Sequence, residues 1–326
     1  MDTTTFETRT DFTALHESVK AIKDQLQQVI AGQYEMIDLL ITGLLTQGHV
    51  LIEGVPGVAK TLTAKLLSSC LDTDFSRIQF TPDLMPADVL GTSVFNPQSR
   101  EFEYKKGPIF SNLVLIDEIN RAPAKTQAAL FEVMEERQVT NDGKTWLLDR
   151  PFMVIATQNP IEQEGTYRLP EAQLDRFLFK IEVKYPDLDQ ELTILKNMHQ
   201  FREETDLTKQ MTKVLSVTRL IEYQQLVRQV RIEEPLLRFI ASIVHETRMN
   251  ASVYLGASPR ASLAVMNCAK ANAAIKGRDF VVPDDVIEMV PHVLRHRIIL
   301  TPEKEMEGVR TDDVIAQILK KVEVPR

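Results

Sequence analysis

Apolar positions along the chain recur with two different rhythms. Up to about residue 185, short apolar runs of strand character are separated by stretches of helical spacing. His49–Gly54 (HVLIEG), Ser76–Phe80 (SRIQF), Asn112–Ile116 (NLVLI) and Phe152–Thr157 (FMVIAT) each predict a strand. Leu169–Val183 predicts a short helix and a fifth strand, with Arg176 at their junction. Between Leu15 and Gln47, Leu26, Val29 and Ile30 and then Ile37, Leu40, Ile41 and Leu44 predict two helices broken at Ala31-Gly32. Leu62–Leu71 predicts another, and Pro123 opens a further one whose buried face carries Leu130 and Met134. Thr92–Tyr104 predicts a hairpin about an Asn-Pro turn, and Val139–Leu148 a second that turns at Asn-Asp-Gly. Beyond Pro186 helical periodicity dominates, over Asp189–Phe201, Val217–Val230, Glu234–Met249, Pro259–Ala274 and Pro283–Leu294. The expected domains are therefore an α/β unit over 1–185 and a helical unit over 186–326.

Composition narrows the function classes. The 326 residues are 44% hydrophobic and 26% charged, enough for two cores. A net charge of -8 and an isoelectric point near 5.4 disfavour a nucleic-acid or anionic-membrane partner. No apolar run approaches a membrane-spanning length, and the start, MDTTTFETRT, has no apolar signal core, so the expected location is cytoplasmic. Cys70 and Cys268 lack metal-ligand spacing and are expected to be buried thiols.

The candidate chemistry begins at the end of the first strand. Gly54-Val55-Pro56-Gly57-Val58-Ala59-Lys60-Thr61, continuing into Leu62, joins a strand to a helix N-terminus, where convergent N–H groups and a positive dipole end suit a triphosphate. Lys60 is expected to reach the β- and γ-phosphates of ATP, and the Thr61 hydroxyl to bind Mg²⁺. Ala59 stands where a glycine is expected, and the loop can form if its φ is helical. Asp117-Glu118 closes the third strand, where the metal and the attacking water would sit; Asp117 would hold Mg²⁺ through water and Glu118 would activate the nucleophile. Asn159, at the tip of the fourth strand, is a candidate γ-phosphate sensor or a turn asparagine. The turn Val29–Gln33 (VIAGQ) is a candidate adenine contact or a plain connection between helices. Arg260 lies in the first turn of a helix, opposing its dipole, so it needs a compensating anion such as a bound phosphate.

In this order the motifs resemble the MoxR family of AAA+ ATPases over essentially the whole chain. GVPGVAKT is similar to the family's Walker A, with the same alanine, and LVLIDEINRAP to its Walker B. ATQNP resembles sensor 1, LDRF the arginine-finger region and GASPRA sensor 2, and the two hairpins resemble the helix-2 insert and the hairpin before sensor 1. The resemblance implies a P-loop core with a parallel five-stranded sheet of order 5-1-4-3-2 and an all-helical lid. It further implies ATP/ADP with Mg²⁺, a hexameric ring and chaperone-like action on partners, often proteins with a von Willebrand factor A domain. Arg176 would then enter a neighbour's site, and Arg260 would couple the lid to nucleotide state. Rival expectations are a nucleic-acid motor, a metal-chelatase motor subunit and a nucleotide-gated scaffold with little turnover. The full set of Lys60, Asp117, Glu118 and Arg176 argues against the scaffold, and the absence of NKxD argues against guanine.

Overall fold

The computed structural model describes residues 10–160, 166–167, 169–200 and 207–325. The polar start of the chain before Thr10, and Phe201 at the end of one predicted helix, lie outside the described residues. Helices α1 (Thr13–Val29) and α2 (Tyr34–Thr46) flank the break at Ala31-Gly32 and lead into β1 (His49–Gly54). Then follow α3 (Lys60–Ser69), β2 (Leu71–Asp72), β3 (Phe75–Gln79), α4 (Pro86–Leu90) and the hairpin β4 (Gly91–Asn96) and β5 (Glu101–Lys106). The rest of the first unit is β6 (Leu113–Asp117), α5 (Ala124–Glu136), the hairpin β7 (Gln138–Asn141) and β8 (Lys144–Leu147), β9 (Met153–Gln158), α6 (Glu171–Leu174) and β10 (Phe177–Val183).

Five of these strands form one parallel sheet ordered β10-β1-β9-β6-β3. Numbered by their sequence within the sheet, that is 5-1-4-3-2. Because both faces are covered, the central strands are apolar almost throughout, as parallel strands should be. Alternation then sends Val50, Ile52, Leu113, Leu115 and Ile155 to one face, against α1, α2 and α3. Leu51, Val114, Ile116 and Val154 face the other way, against Leu130, Phe131 and Met134 of α5.

The second unit contains α7 (Leu188–Gln200), β11 (Leu215–Ser216), α8 (Val217–Arg228), α9 (Glu234–Met249), β12 (Val253–Leu255), α10 (Pro259–Ile275) and α11 (Pro283–Leu294). It ends with β13 (Ile299–Leu300), α12 (Pro302–Met306) and α13 (Thr311–Lys321). This lid is helical, with short strands added that are too brief to show in the apolar pattern. β12 pairs with β13, and β11 pairs with β2 of the core. The boundary at 185 does not separate two cores, since Leu220, Phe239, Val265 and Val290 share one apolar cluster with α1, α2 and Phe179.

Four contacts fix the lid to the start of β10. His296 Nε2 lies 3.0 Å from the Phe177 carbonyl. Arg297, 5% exposed, donates to Asp175 Oδ1 at 2.7 Å and to the carbonyl oxygens of Phe177 and Leu178 at 2.7 and 3.0 Å. Burial holds the His296 pKa well below the usual histidine range, so the ring is neutral there. Cys70 and Cys268 are buried free thiols, and burial raises the pKa of each, that of Cys70 to about 11, which keeps them unreactive.

Candidate functional site

At the carboxyl end of β1 the chain turns through Val55–Ala59 into α3. The N-terminus of α3 has no side-chain cap and no acidic residue in its first turn, so its N–H groups remain available to an anion. Gly57 at φ 87° has open space where a Cβ would stand. Gly54 plays a different part from the one its place in the motif suggests, because a Cβ there would come within 2.8 Å of the Val183 carbonyl. It lets β1 approach β10.

Ala59 sits at φ 61°, ψ 18°, a left-handed conformation in which its methyl is strained by roughly 1–2 kcal/mol. In place of the helical φ expected of this alanine, the structure gives a left-handed one, and the residue is tolerated at a cost. Relief of that strain offsets the greater freedom of glycine in the unfolded chain, so Ala59→Gly is expected to be at least as stable as the natural chain. Ala59→Val should be less stable by about 1–3 kcal/mol. Urea melts of both variants measure this, and a destabilised glycine variant would show that the position carries no strain.

The side chains expected to act on phosphate converge at this end of the sheet. Pro56, Gly57, Lys60, Thr61, Asp117, Glu118 and Asn159 line one cleft of about 190 Å³. Lys60 Nζ folds onto the carbonyl of Gly54 and lies 3.2 Å from that of Val55. Asp117, 4% exposed, accepts the Thr61 hydroxyl at 2.8 Å and the Thr157 hydroxyl at 3.2 Å on Oδ1. Its Oδ2 accepts Arg77 Nε at 2.6 Å. Glu118 is at φ 58°, with its N–H on Thr157 Oγ1 at 3.1 Å. That left-handed step leaves both carboxylates on the cleft wall. Asn159 is buried at the same wall.

A hydroxyl beside a carboxylate is a hard-oxygen donor set that fits Mg²⁺, and a guanidinium already pairs with the outer oxygen of Asp117. Sequence reasoning missed Arg77 and Gln79. They lie two apart on β3 and so share one face of the strand, which could have marked them. Gln79 Nε2 donates to Glu118 Oε2 at 2.9 Å and its Oε1 accepts Arg77 Nη2 at 3.3 Å, so β3 ties the two carboxylates together. Arg121 adds an ion pair to Glu118 at 3.0 Å.

The VIAGQ turn lies at the same end of the sheet. Gln33 reaches the carbonyl of Lys184, next to Val183, which pairs with Gly54, and Gln190 of α7 covers Gly32.

Arg176 and Arg260 are not in the cleft. Arg176 immediately precedes Phe177, whose register partner is His49, the first residue of β1. It therefore lies at the amino end of the sheet, while the phosphate loop follows the last residue of that six-residue strand, about 20 Å away. Arg260 joins it there, because both bind Glu135 at the end of α5. The anion that the α10 dipole calls for at Arg260 is thus a carboxylate of the same chain, where the sequence had suggested a phosphate.

A parallel sheet of this order, an uncapped phosphate-type loop and an acidic pair on the neighbouring strand tip define a P-loop ATPase of the AAA+ class. The model of the ATPase family associated with various cellular activities (AAA) matches residues 49–179, and that of the AAA lid domain matches residues 245–318. The chain is 43% identical to Chaperone MoxR1 of Mycobacterium tuberculosis, over 93% of this chain and 81% of that one. It is 45% identical to YeaC of Bacillus subtilis, over 95% and 96%. A crystal structure of a candidate ATPase from Cytophaga hutchinsonii superposes with a TM-score of 0.87 at 44% identity, covering 96% of this chain and 97% of that one. The chain belongs to the MoxR family of AAA+ ATPases.

Proposed function

We propose that this chain hydrolyses ATP with Mg²⁺ at the interfaces of a ring, of six subunits in the reading the family suggests, and uses the cycle to remodel a partner protein. The observation that carries it is the division of the machinery between two ends of one sheet: Lys60, Thr61, Asp117, Glu118 and Asn159 at the carboxyl end, Arg176 and Arg260 at the other. Lys60 and the α3 N-terminus bind the phosphates. Thr61 and Asp117 would hold Mg²⁺, which when bound neutralises phosphate charge. Glu118 takes the proton of the attacking water, Asn159 senses the γ-phosphate, and Arg176 is supplied to the next subunit.

A lid that swings freely on its own core fits poorly with the buried Arg297 anchor and the shared apolar cluster. Lid and core of one subunit act as a unit, and motion occurs against the neighbouring phosphate loop. Supporting a client role is the name of the 43% identical relative, a chaperone. A von Willebrand factor A domain protein is the client class that follows from the family resemblance.

Purified chain is expected to release phosphate from ATP only with Mg²⁺ present, and Lys60→Ala should stop it. Losing charge-assisted bonds worth about 1.5–3 kcal/mol weakens nucleotide binding roughly 10- to 150-fold. Titration with a fluorescent ATP analogue measures this, and unchanged affinity would remove the loop from nucleotide binding.

A further inference from the structure

Two guanidinium groups from different parts of the fold meet on a single carboxylate. Arg176 Nη1, from the junction of α6 and β10, donates to Glu135 Oε2 and also to the Phe131 carbonyl at 3.1 Å. Arg260 Nη2, from the first turn of α10, donates to Glu135 Oε1 at 2.9 Å. The side chains are 35%, 32% and 62% exposed for Glu135, Arg176 and Arg260, so the cluster faces outward.

Its backbone is held firmly. Met134, the residue before Glu135, has its carbonyl on His49 Nε2 at 3.0 Å, and His49 Nδ1 accepts the Val154 N–H at 2.9 Å, which fixes the tautomer. The Arg297 anchor sets the lid beside Arg176 in the same way. Like charges this near repel, and Arg260 additionally opposes the dipole of α10. An acceptor between them is needed for the two to lie side by side.

From this we infer that Glu135 is a positioning residue, which holds Arg176 and Arg260 together as one arginine pair directed at the phosphates of an adjoining subunit. The inference rests on the interface reading above and adds a residue to it. A guanidinium carries five N–H donors in a rigid fork, and Glu135 engages one from each arginine. Both can therefore meet a phosphate while still held. With net charge of one on the cluster, the pair also stays attractive to an anion.

The test uses the full chain carrying Glu135→Ala, Glu135→Gln or Glu135→Asp, each alone and in an Arg176→Ala, Arg260→Ala background, by steady-state hydrolysis of radiolabelled ATP over a range of ATP concentrations. Glu135→Ala is expected to lower kcat about 10- to 100-fold, as misplacing a transition-state group does, with KM for ATP within about twofold. Glu135→Asp should recover part of the loss. In the double-arginine background the added Glu135→Ala should change the rate less than about twofold, because its effect runs only through those side chains. If the alanine variant melts early, Glu135→Gln, which keeps the shape, carries the comparison.

Full activity of the Glu135 variants alongside poor activity of Arg176→Ala would overturn the inference and leave the interface reading intact. A further tenfold loss in the double-arginine background would also overturn it, since Glu135 would then act elsewhere. Arg176→Ala at full activity would remove both.

Discussion

Glu118→Gln is expected to bind ATP with near-natural affinity and to hydrolyse it about 10²- to 10⁴-fold more slowly, the range of general-base contributions. The substitution keeps the length of the side chain and an oxygen that can still accept Gln79 Nε2, so the wall of the cleft is preserved. The group that takes up the proton is lost, and with it the charge of the partly exposed ion pair to Arg121, which is worth only about 0–1 kcal/mol. Backbone geometry supports so clean a separation, because the φ of 58° and the N–H bond to Thr157 Oγ1 position residue 118 through main-chain contacts. Phosphate release and binding of a fluorescent ATP analogue, measured on the same preparation, check the two halves of the expectation. Natural turnover in the variant would make Glu118 a bystander. A loss of binding equal to the loss of turnover would assign it to ground-state contact instead. A hydrolysis-blocked variant should also hold its client longest, which makes it the form for capturing the partner in the presence of ATP.

The sheet and the phosphate cleft were legible in sequence because they depend on local order. The central strands are apolar runs, and Asp117, Glu118 and Asn159 stand at or just beyond the ends of such runs, while Lys60 and Thr61 open the helix that follows the first. What escaped depends on pairing between distant segments. Arg77 meets Asp117 across 40 residues, Gln79 meets Glu118 across 39, and Glu135 meets Arg260 across 125. Nothing in β3 announces its partner, since polar residues on an edge strand ordinarily face solvent.

The role of Gly54 escaped for a related reason: its constraint comes from Val183, in a strand more than a hundred residues on. Ala59 shows a further limit. Its residue type argues against a left-handed φ, and the loop imposes one anyway. The strands β2 and β11 are two residues each, shorter than any apolar period can reveal. The site of Arg260 follows from where the lid docks, which Arg297 decides through Asp175, 122 residues away.

Arg176→Ala is expected to bind ATP and fold normally while losing about 10³- to 10⁵-fold in hydrolysis, as when an arginine finger is withdrawn. Against that stands the smaller effect of breaking its visible contact. The ion pair with Glu135 is about one-third exposed on both sides, and such pairs are worth roughly 0–1 kcal/mol. The two roles therefore differ by several powers of ten in rate, and a melting curve close to the natural one separates them further. Position decides which to expect. Arg176 lies the length of β1 from its own phosphate loop, so it can reach a nucleotide only in another subunit. A shared site can be rescued by mixing. Lys60→Ala subunits retain Arg176, and Arg176→Ala subunits retain Lys60, so mixed rings contain some interfaces with both groups intact. Sedimentation must first show that rings form and that subunits exchange. Recovery of part of the natural rate on mixing, with neither variant active alone, is the expected outcome. Mixed rings without recovery would rule against the shared site, and full activity of Arg176→Ala alone would return the residue to a surface ion pair.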